Sequence, residues 1–325
     1  MFGKLKLAAA VAVIGLSPAS LATASAESLK VVASFSIIGD FARQVGGDRA
    51  SITTLVGPNG DAHVYEPKPV DAAAVRDADV VLVNGLRYEG FLQRLFEASD
   101  TAATIVELSK GAALLRYHHH DADDAAEDAH AHEAAEAEQA HEGDHHDHGG
   151  FDPHAWQSVP NARIYVKNIA DAFCAADADG CDTYRANADA YGKQLEALDA
   201  EIGADIAKVP EDKRTIITSH DAFGYFGHEY GLRFLAPEGV STESEASAAD
   251  VASLIRQVRE DKASAIFVEN ITNPRLIEQI AGETGIAVGG ELYSDALSDA
   301  SGPAATYIDM MRHNVRTIKG AIVGS

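Results

Sequence analysis

Short apolar runs rich in β-branched residues alternate with segments of helical period through most of this 325-residue chain. That alternation limits the folds open to it. The strand-like runs fall at 29–33, 52–56, 80–84, 104–108, 215–218, 265–269 and 286–288, and helical patterns lie between them at 37–45, 69–76, 91–98, 248–260 and 274–284. Strands separated by helices cannot pair as hairpins. They require crossovers, so the reading is an α/β protein with parallel sheets flanked by helices.

The middle of the chain breaks the alternation. From 182 to 207 there is no proline, and Tyr184, Ala188, Tyr191, Leu195, Leu198, Ile202 and Ile206 follow one another at spacings of three or four. That is one continuous helical stripe, roughly 39 Å long at 1.5 Å per residue, stopped by Pro210. It divides the chain into an α/β lobe at 27–181, a linker helix at 182–207 and a second α/β lobe at 208–325. The periodicity fits an ordinary surface helix equally well.

Residues 1–26 read as an export signal: Lys4 and Lys6, an apolar run of about ten residues, then Ala24-Ser25-Ala26. The run is too short for a membrane span, which takes roughly 20 residues, so the expectation is an exported soluble monomer. Two cysteines, Cys174 and Cys181, suit an oxidising compartment and are expected to pair as a local staple, with free thiols as the alternative.

The formal net charge of −24 is unevenly spread. Residues 118–148 hold eleven acids and nine of the fourteen histidines (His118, His119, His120, His130, His132, His141, His145, His146 and His148), with no Lys or Arg. With no Val, Ile or Leu either, 118–150 is expected to be a disordered insertion in the first lobe. An acidic chain without a basic patch excludes a nucleic-acid binder. A local excess of carboxylate and imidazole attracts cations instead.

Five histidines remain outside that insertion. His63 follows the turn-rich Gly57-Pro58-Asn59-Gly60, just past a strand; His220 follows the strand at 215–218; His154 sits on Asp152-Pro153, where proline stiffens the backbone. Asp295 comes shortly after the last predicted strand. Ligands of open α/β sheets gather beyond the carboxyl ends of strands, and three imidazoles with one carboxylate suit Zn²⁺. His228 and His313 read as surface or packing residues. Trp156 and Tyr65 read as cleft-wall packing.

The stretches Asp61-Ala62-His63-Val64-Tyr65-Glu66-Pro67, Asp152-Pro153-His154-Ala155-Trp156 and Ser219-His220-Asp221-Ala222-Phe223, with Ile266-Phe267-Val268-Glu269-Asn270 and Tyr293-Ser294-Asp295, resemble the motifs of a known family. These are the zinc- and manganese-binding solute-binding proteins of bacterial ABC importers. The resemblance runs from about residue 29 to the C-terminus and implies two α/β lobes joined by one long helix, with metal in the cleft. It implies His63 and His154 as ligands from the first lobe, and His220 and Asp295 from the second. Some zinc members carry a glutamate where Ala62 stands, so the fourth ligand rests on Asp295, with Glu269 and Glu291 as substitutes.

Histidine at 220, where manganese-type relatives tend to carry glutamate, points to zinc, as does the His-rich insertion, read as an aid to capture rather than a merely tolerated loop. The expected function is a periplasmic, non-enzymatic zinc receptor for an ABC permease, which a periplasmic zinc-loading protein could serve. Zinc affinity is expected to fall as pH drops through the histidine range. The alternatives are a manganese receptor of the same fold, a periplasmic metal buffer, and a secreted zinc hydrolase with Glu66 or Glu269 as base.

Overall fold

The structure is a computed structural model that describes residues 28–117 and 150–324. The export-signal reading and the nine insertion histidines lie outside the described residues. Two sheets of four strands carry the fold, each entirely parallel. The first comprises β1 (Leu29–Phe35), β2 (Ala50–Val56), β3 (Val80–Val83) and β4 (Thr104–Glu107) in the order β2-β1-β3-β4. The second repeats that order as β6-β5-β7-β8, from β5 (Thr215–Ile217), β6 (Arg233–Leu235), β7 (Ala265–Glu269) and β8 (Val288–Leu292). Central β1 and β3 pair Val31 with Val80 and Ala33 with Leu82. β3 reads as an unbroken apolar run, and β1 as one interrupted only by Lys30 and Ser34, because helices cover both faces, whereas edge strand β4 stays mostly exposed.

The predicted helices form: α1 (Ser36–Gly46), α2 (Pro69–Arg76), α3 (Leu92–Ser99), α7 (Ala248–Asp261) and α8 (Arg275–Thr284). Proline at the start of α2 costs no hydrogen bond, and Ser247 caps α7 by accepting from Asp250 N. Three further helices complete the set: α4 (Val159–Ala176), α6 (Gly224–Tyr230) and α9 (Tyr307–Val323).

The spine is α5 (Cys181–Ile206), 26 residues long. Its stripe of Tyr184, Tyr191, Leu195, Leu198, Ile202 and Ile206 is buried, packed on α1 and α4 of the first half and on α9 of the second. Cys174 and Cys181 form a disulfide that closes the α4–α5 turn.

Two strands depart from expectation. β6 was not anticipated: it is a three-residue edge strand with Arg233 exposed. β8 starts two residues later than predicted and runs through Gly289 and Gly290, which carry no strand signal. A Cβ at Gly289 would meet the Phe267 ring at 2.6 Å, so glycine permits close packing there.

One apolar core runs through both halves, joining Phe35, Phe41 and Trp156 to Phe223, Phe267, Tyr307 and Met310. A second, smaller core lies between α7, α8 and the second sheet, around Leu254, Ile266 and Ile277. A wide hinge motion would expose the shared aromatics, at roughly 1.5–3 kcal/mol per side chain. Metal addition should therefore leave the radius of gyration in solution scattering nearly unchanged; a marked contraction would show that the shared core opens.

A candidate metal centre between the lobes

Loops at the carboxyl ends of β2, β5 and β8 point toward one another, and the segment entering α4 completes the ring. His63, His154, His220 and Asp295 meet there, each buried, with one potential ligand atom apiece lying within 4.8 Å of all the others. Asp295 Oδ2 is the hub. It lies 3.2 Å from His63 Nε2, 3.6 Å from His154 Nε2 and 3.2 Å from His220 Nε2.

His63 and His154 are held by the same device. Asp61 Oδ1 accepts the His63 backbone N–H at 2.8 Å, and Asp152 Oδ1 accepts that of His154 at 2.9 Å. Asp152 Oδ1 also contacts His154 Nδ1 at 2.8 Å, which turns Nε2 into the site. His220 has a different support: Glu269 Oε2 lies 2.7 Å from its Nδ1, while Glu269 Oε1 accepts the backbone N–H groups of Ser219 and His220. Glu269, weighed above as a fourth ligand, is thus an orienting group. Glu291 is exposed, and its carbonyl accepts from His313 Nε2.

A further layer fixes the Asp152–His154 turn. Asn84 Nδ2 donates to Pro153 O at 2.9 Å, and Asn84 Oδ1 accepts from Tyr165. Buried Glu89 accepts from Ser34 Oγ and from the backbone N–H groups of Asn84 and Gly85; burial pushes its carboxyl up to about 7 against those bonds. Trp156 Nε1 and Gln157 Nε2 both donate to Ser294 O, setting the residue before Asp295.

The other histidines stand apart: His228 is exposed on α6 and His313 packs edge-on against Tyr293. Trp156 is fully buried beside His154, while Tyr65 packs on Phe91 and donates to Asp71, within the first lobe. Glu66 is exposed in a separate groove with Lys68 and Arg94, and Glu269 lies against His220 Nδ1 and the backbone N–H groups of Ser219 and His220.

Sequence reading assigned no role to Asp152 and weighed Glu269 only as a substitute ligand or a base, not as a support for His220. For the first, a signal existed in the repeated Asp-x-His of Asp61-Ala62-His63 and Asp152-Pro153-His154. A cavity of about 690 Å³, lined by His63, Tyr88, Arg87, Arg116, Val240 and Glu243, opens onto the site from the His63 side.

Buried polar atoms without partners are rare in folded proteins. Here His63 Nε2, His154 Nε2 and Asp295 Oδ1 make no hydrogen bond of good geometry among the described residues. A cation at the centre would satisfy the two imidazole nitrogens. Three imidazoles and a carboxylate, buried at the seam of two α/β lobes, form a cluster that fits a divalent metal ion.

The chain belongs to the family described as zinc-uptake complex component A, periplasmic (ZnuA), which it matches over residues 31–321: periplasmic metal-binding receptors that work with an ABC permease and its ATPase. The manganese-binding lipoprotein MntA of Halalkalibacterium halodurans is 35% identical over 291 residues, covering 90% of this chain and 87% of that protein. The iron-binding protein YfeA of Yersinia pestis is 31% identical, with 90% and 86% covered. Among solved structures, the periplasmic zinc binding protein TroA of Treponema pallidum superposes with a TM-score of 0.77 at 28% identity, covering 91% of this chain and 99% of that one. The relatives are thus named for three different metals. Among the described residues no helix is long and apolar enough to cross a membrane.

The cluster's charges determine how binding depends on pH. Burial disfavours the charged form of His154, but the charge of Asp295 and the bond to Asp152 outweigh it and push the imidazole up to about 9. His220 is likewise buried, yet Glu269 and Asp295 raise it well above the usual histidine range. Burial would raise Asp295, but His154 and His220 hold it well below the ordinary carboxylate range. In the metal-free protein the His154 proton stabilises the fold fully below pH 6.5, an effect lost as pH rises through about 9. A metal ion held by this cluster would have to displace that proton. Affinity should therefore rise about tenfold per pH unit for each proton displaced, continuing to about pH 9, above the range expected for ordinary histidines. Calorimetry at pH 7.5 in buffers of different ionisation enthalpy should register proton release on binding; none would contradict the coupling.

Proposed function

We propose that this chain is a zinc receptor that binds Zn²⁺ through His63, His154, His220 and Asp295 and delivers it to an ABC permease. The observation that carries the reading is the convergence of three buried imidazole Nε2 atoms on one oxygen of Asp295. Three nitrogens and one oxygen make a closed four-donor set of the kind zinc accepts, whereas manganese favours sites richer in oxygen. The name of TroA, a zinc binding protein, agrees.

The capture role of the His-rich insertion is part of this proposal. Its support is that Arg116 pairs with Phe151, and Tyr117 N donates to Gly150 O, so the insertion leaves and rejoins the body beside Arg116, on the cavity wall next to His63. The export signal at 1–26, the periplasmic location, the lobe boundaries at 27–181, 182–207 and 208–325, and a zinc-loading partner belong to the same proposal. The names of MntA and YfeA favour a second reading, a manganese or iron receptor built on the same four residues.

Competitive calorimetric titration with Zn²⁺ and Mn²⁺ separates the two. The wild-type chain should hold one tight Zn²⁺ that Mn²⁺ in excess does not displace. His63→Ala and Asp295→Ala should each weaken that site by more than about 100-fold, beyond the 10–100-fold typical of residues that only support a ligand. A tight site that survives either substitution would falsify the assignment; one that prefers Mn²⁺ would establish the second reading.

A further inference from the structure

Tyr88 is the one large side chain at the centre whose polar group has no evident task. It is 1% exposed, its ring stands edge-on to His63 at 4.7 Å and to Trp156 at 4.8 Å, and its hydroxyl makes no good hydrogen bond among the described residues. A buried hydroxyl without a partner is costly, and phenylalanine would fill the same space without that cost.

The backbone that delivers Tyr88 is unusual as well. Gly85, Leu86 and Arg87 are consecutive left-handed residues, with φ of 84°, 55° and 61°. Two of them carry side chains that disfavour this region. Such strain persists only where the surroundings over-determine it. Here Glu89 accepts from the N–H groups of Asn84 and Gly85, and Tyr88 N donates to Gly85 O. The turn is clamped so that position 88 faces inward.

Burial, and then the nearby charge of Asp295, raise the Tyr88 hydroxyl well above the usual tyrosine range, and that carboxylate is in the complementary condition. Asp295 directs Oδ2 at the three imidazoles, while Oδ1 is buried and also lacks a partner among the described residues. We infer that Tyr88 is a specificity-determining residue: its hydroxyl donates to Asp295 Oδ1 and so leaves a single carboxylate oxygen for the metal. This rests on the reading of the four residues as ligands. Three nitrogens and one oxygen then hold the ion at four-coordination, which suits Zn²⁺. With Oδ1 released, the carboxylate can bind through both oxygens and add a fifth donor, which shifts preference toward ions that favour more oxygen, such as Mn²⁺.

Tyr88→Phe in the full chain tests this, because it removes only the hydroxyl and keeps the ring packing. Co²⁺ serves as a spectroscopic probe, with the His63→Ala spectrum subtracted to remove ions held elsewhere. The wild type should give the intense visible bands of four-coordinate Co²⁺, and Tyr88→Phe the weaker bands of higher coordination. In competition titrations the ratio of Zn²⁺ to Mn²⁺ affinity should fall about tenfold or more in Tyr88→Phe. An unchanged difference spectrum with an unchanged ratio overturns the inference and leaves the four-ligand reading standing. If His63→Ala and wild type bind Co²⁺ and Zn²⁺ alike, the four-ligand reading itself fails, and the inference with it.

Discussion

Asp295 carries a negative charge at 0% exposure, and much of the molecule can be understood as the means of keeping it there. An isolated carboxylate in such surroundings would take up a proton. It remains ionised because two imidazoles, themselves biased toward the protonated form by Asp152 and Glu269, face it across a few ångströms. His154, His220 and Asp295 are therefore one electrostatic unit. A divalent cation can replace the imidazole protons without leaving the carboxylate unpaired, so the metal-free protein already has the charge balance that binding requires.

Holding that unit together demands contacts between parts of the chain distant in sequence. Asp295 belongs to the C-terminal half, yet its segment is fastened largely to the first half. Trp156 and Gln157 donate to Ser294 O, Ser36 Oγ accepts from Leu297 N, and Asn59 N donates to Leu297 O. Asn270, at the end of β7, adds a tie from the second sheet to Ala296 O. Three of the four donors thus share the frame of the first lobe, and His220, resting on Glu269, is the one referred chiefly to the second sheet. The continuous aromatic core and the spine α5 keep the two frames in register.

What the sequence made legible follows the range of the interactions involved. The spine was readable because its stripe repeats every three or four residues and needs no partner to be seen. Central β1 and β3 were readable because burial on both faces leaves valine-rich apolar runs. The four clustered residues were visible because His63, His220 and Asp295 sit in short motifs just past strands and His154 sits on an Asp-Pro turn. β6 was hidden because a three-residue edge strand carries almost no pattern, and β8 was displaced because Gly289 and Gly290 look like a loop until Phe267 is seen to need the room. The orienting work of Glu269 and Asn84 was hidden for a deeper reason. A carboxylate or amide that orients another residue differs from a solvated one only in its neighbours, and neighbours are a tertiary fact. Tyr88 belongs to none of the motifs that drew attention to the site.

The metals named among the relatives sharpen where selectivity must reside. Proteins that match nearly all of this chain are named for manganese, iron or zinc, so neither the two-lobed frame nor the long helix can choose the ion. Ligand type narrows the choice but does not complete it, because imidazole also serves iron. What remains is the number of donors the cavity can present, and three imidazoles contribute one nitrogen each whatever the ion. The carboxylate is the only member of the set able to change its contribution, from one oxygen to two. With the proposed ligand set, discrimination therefore falls on whatever restrains the second oxygen of Asp295, a group outside the four ligands, at the end of a strained turn three residues long.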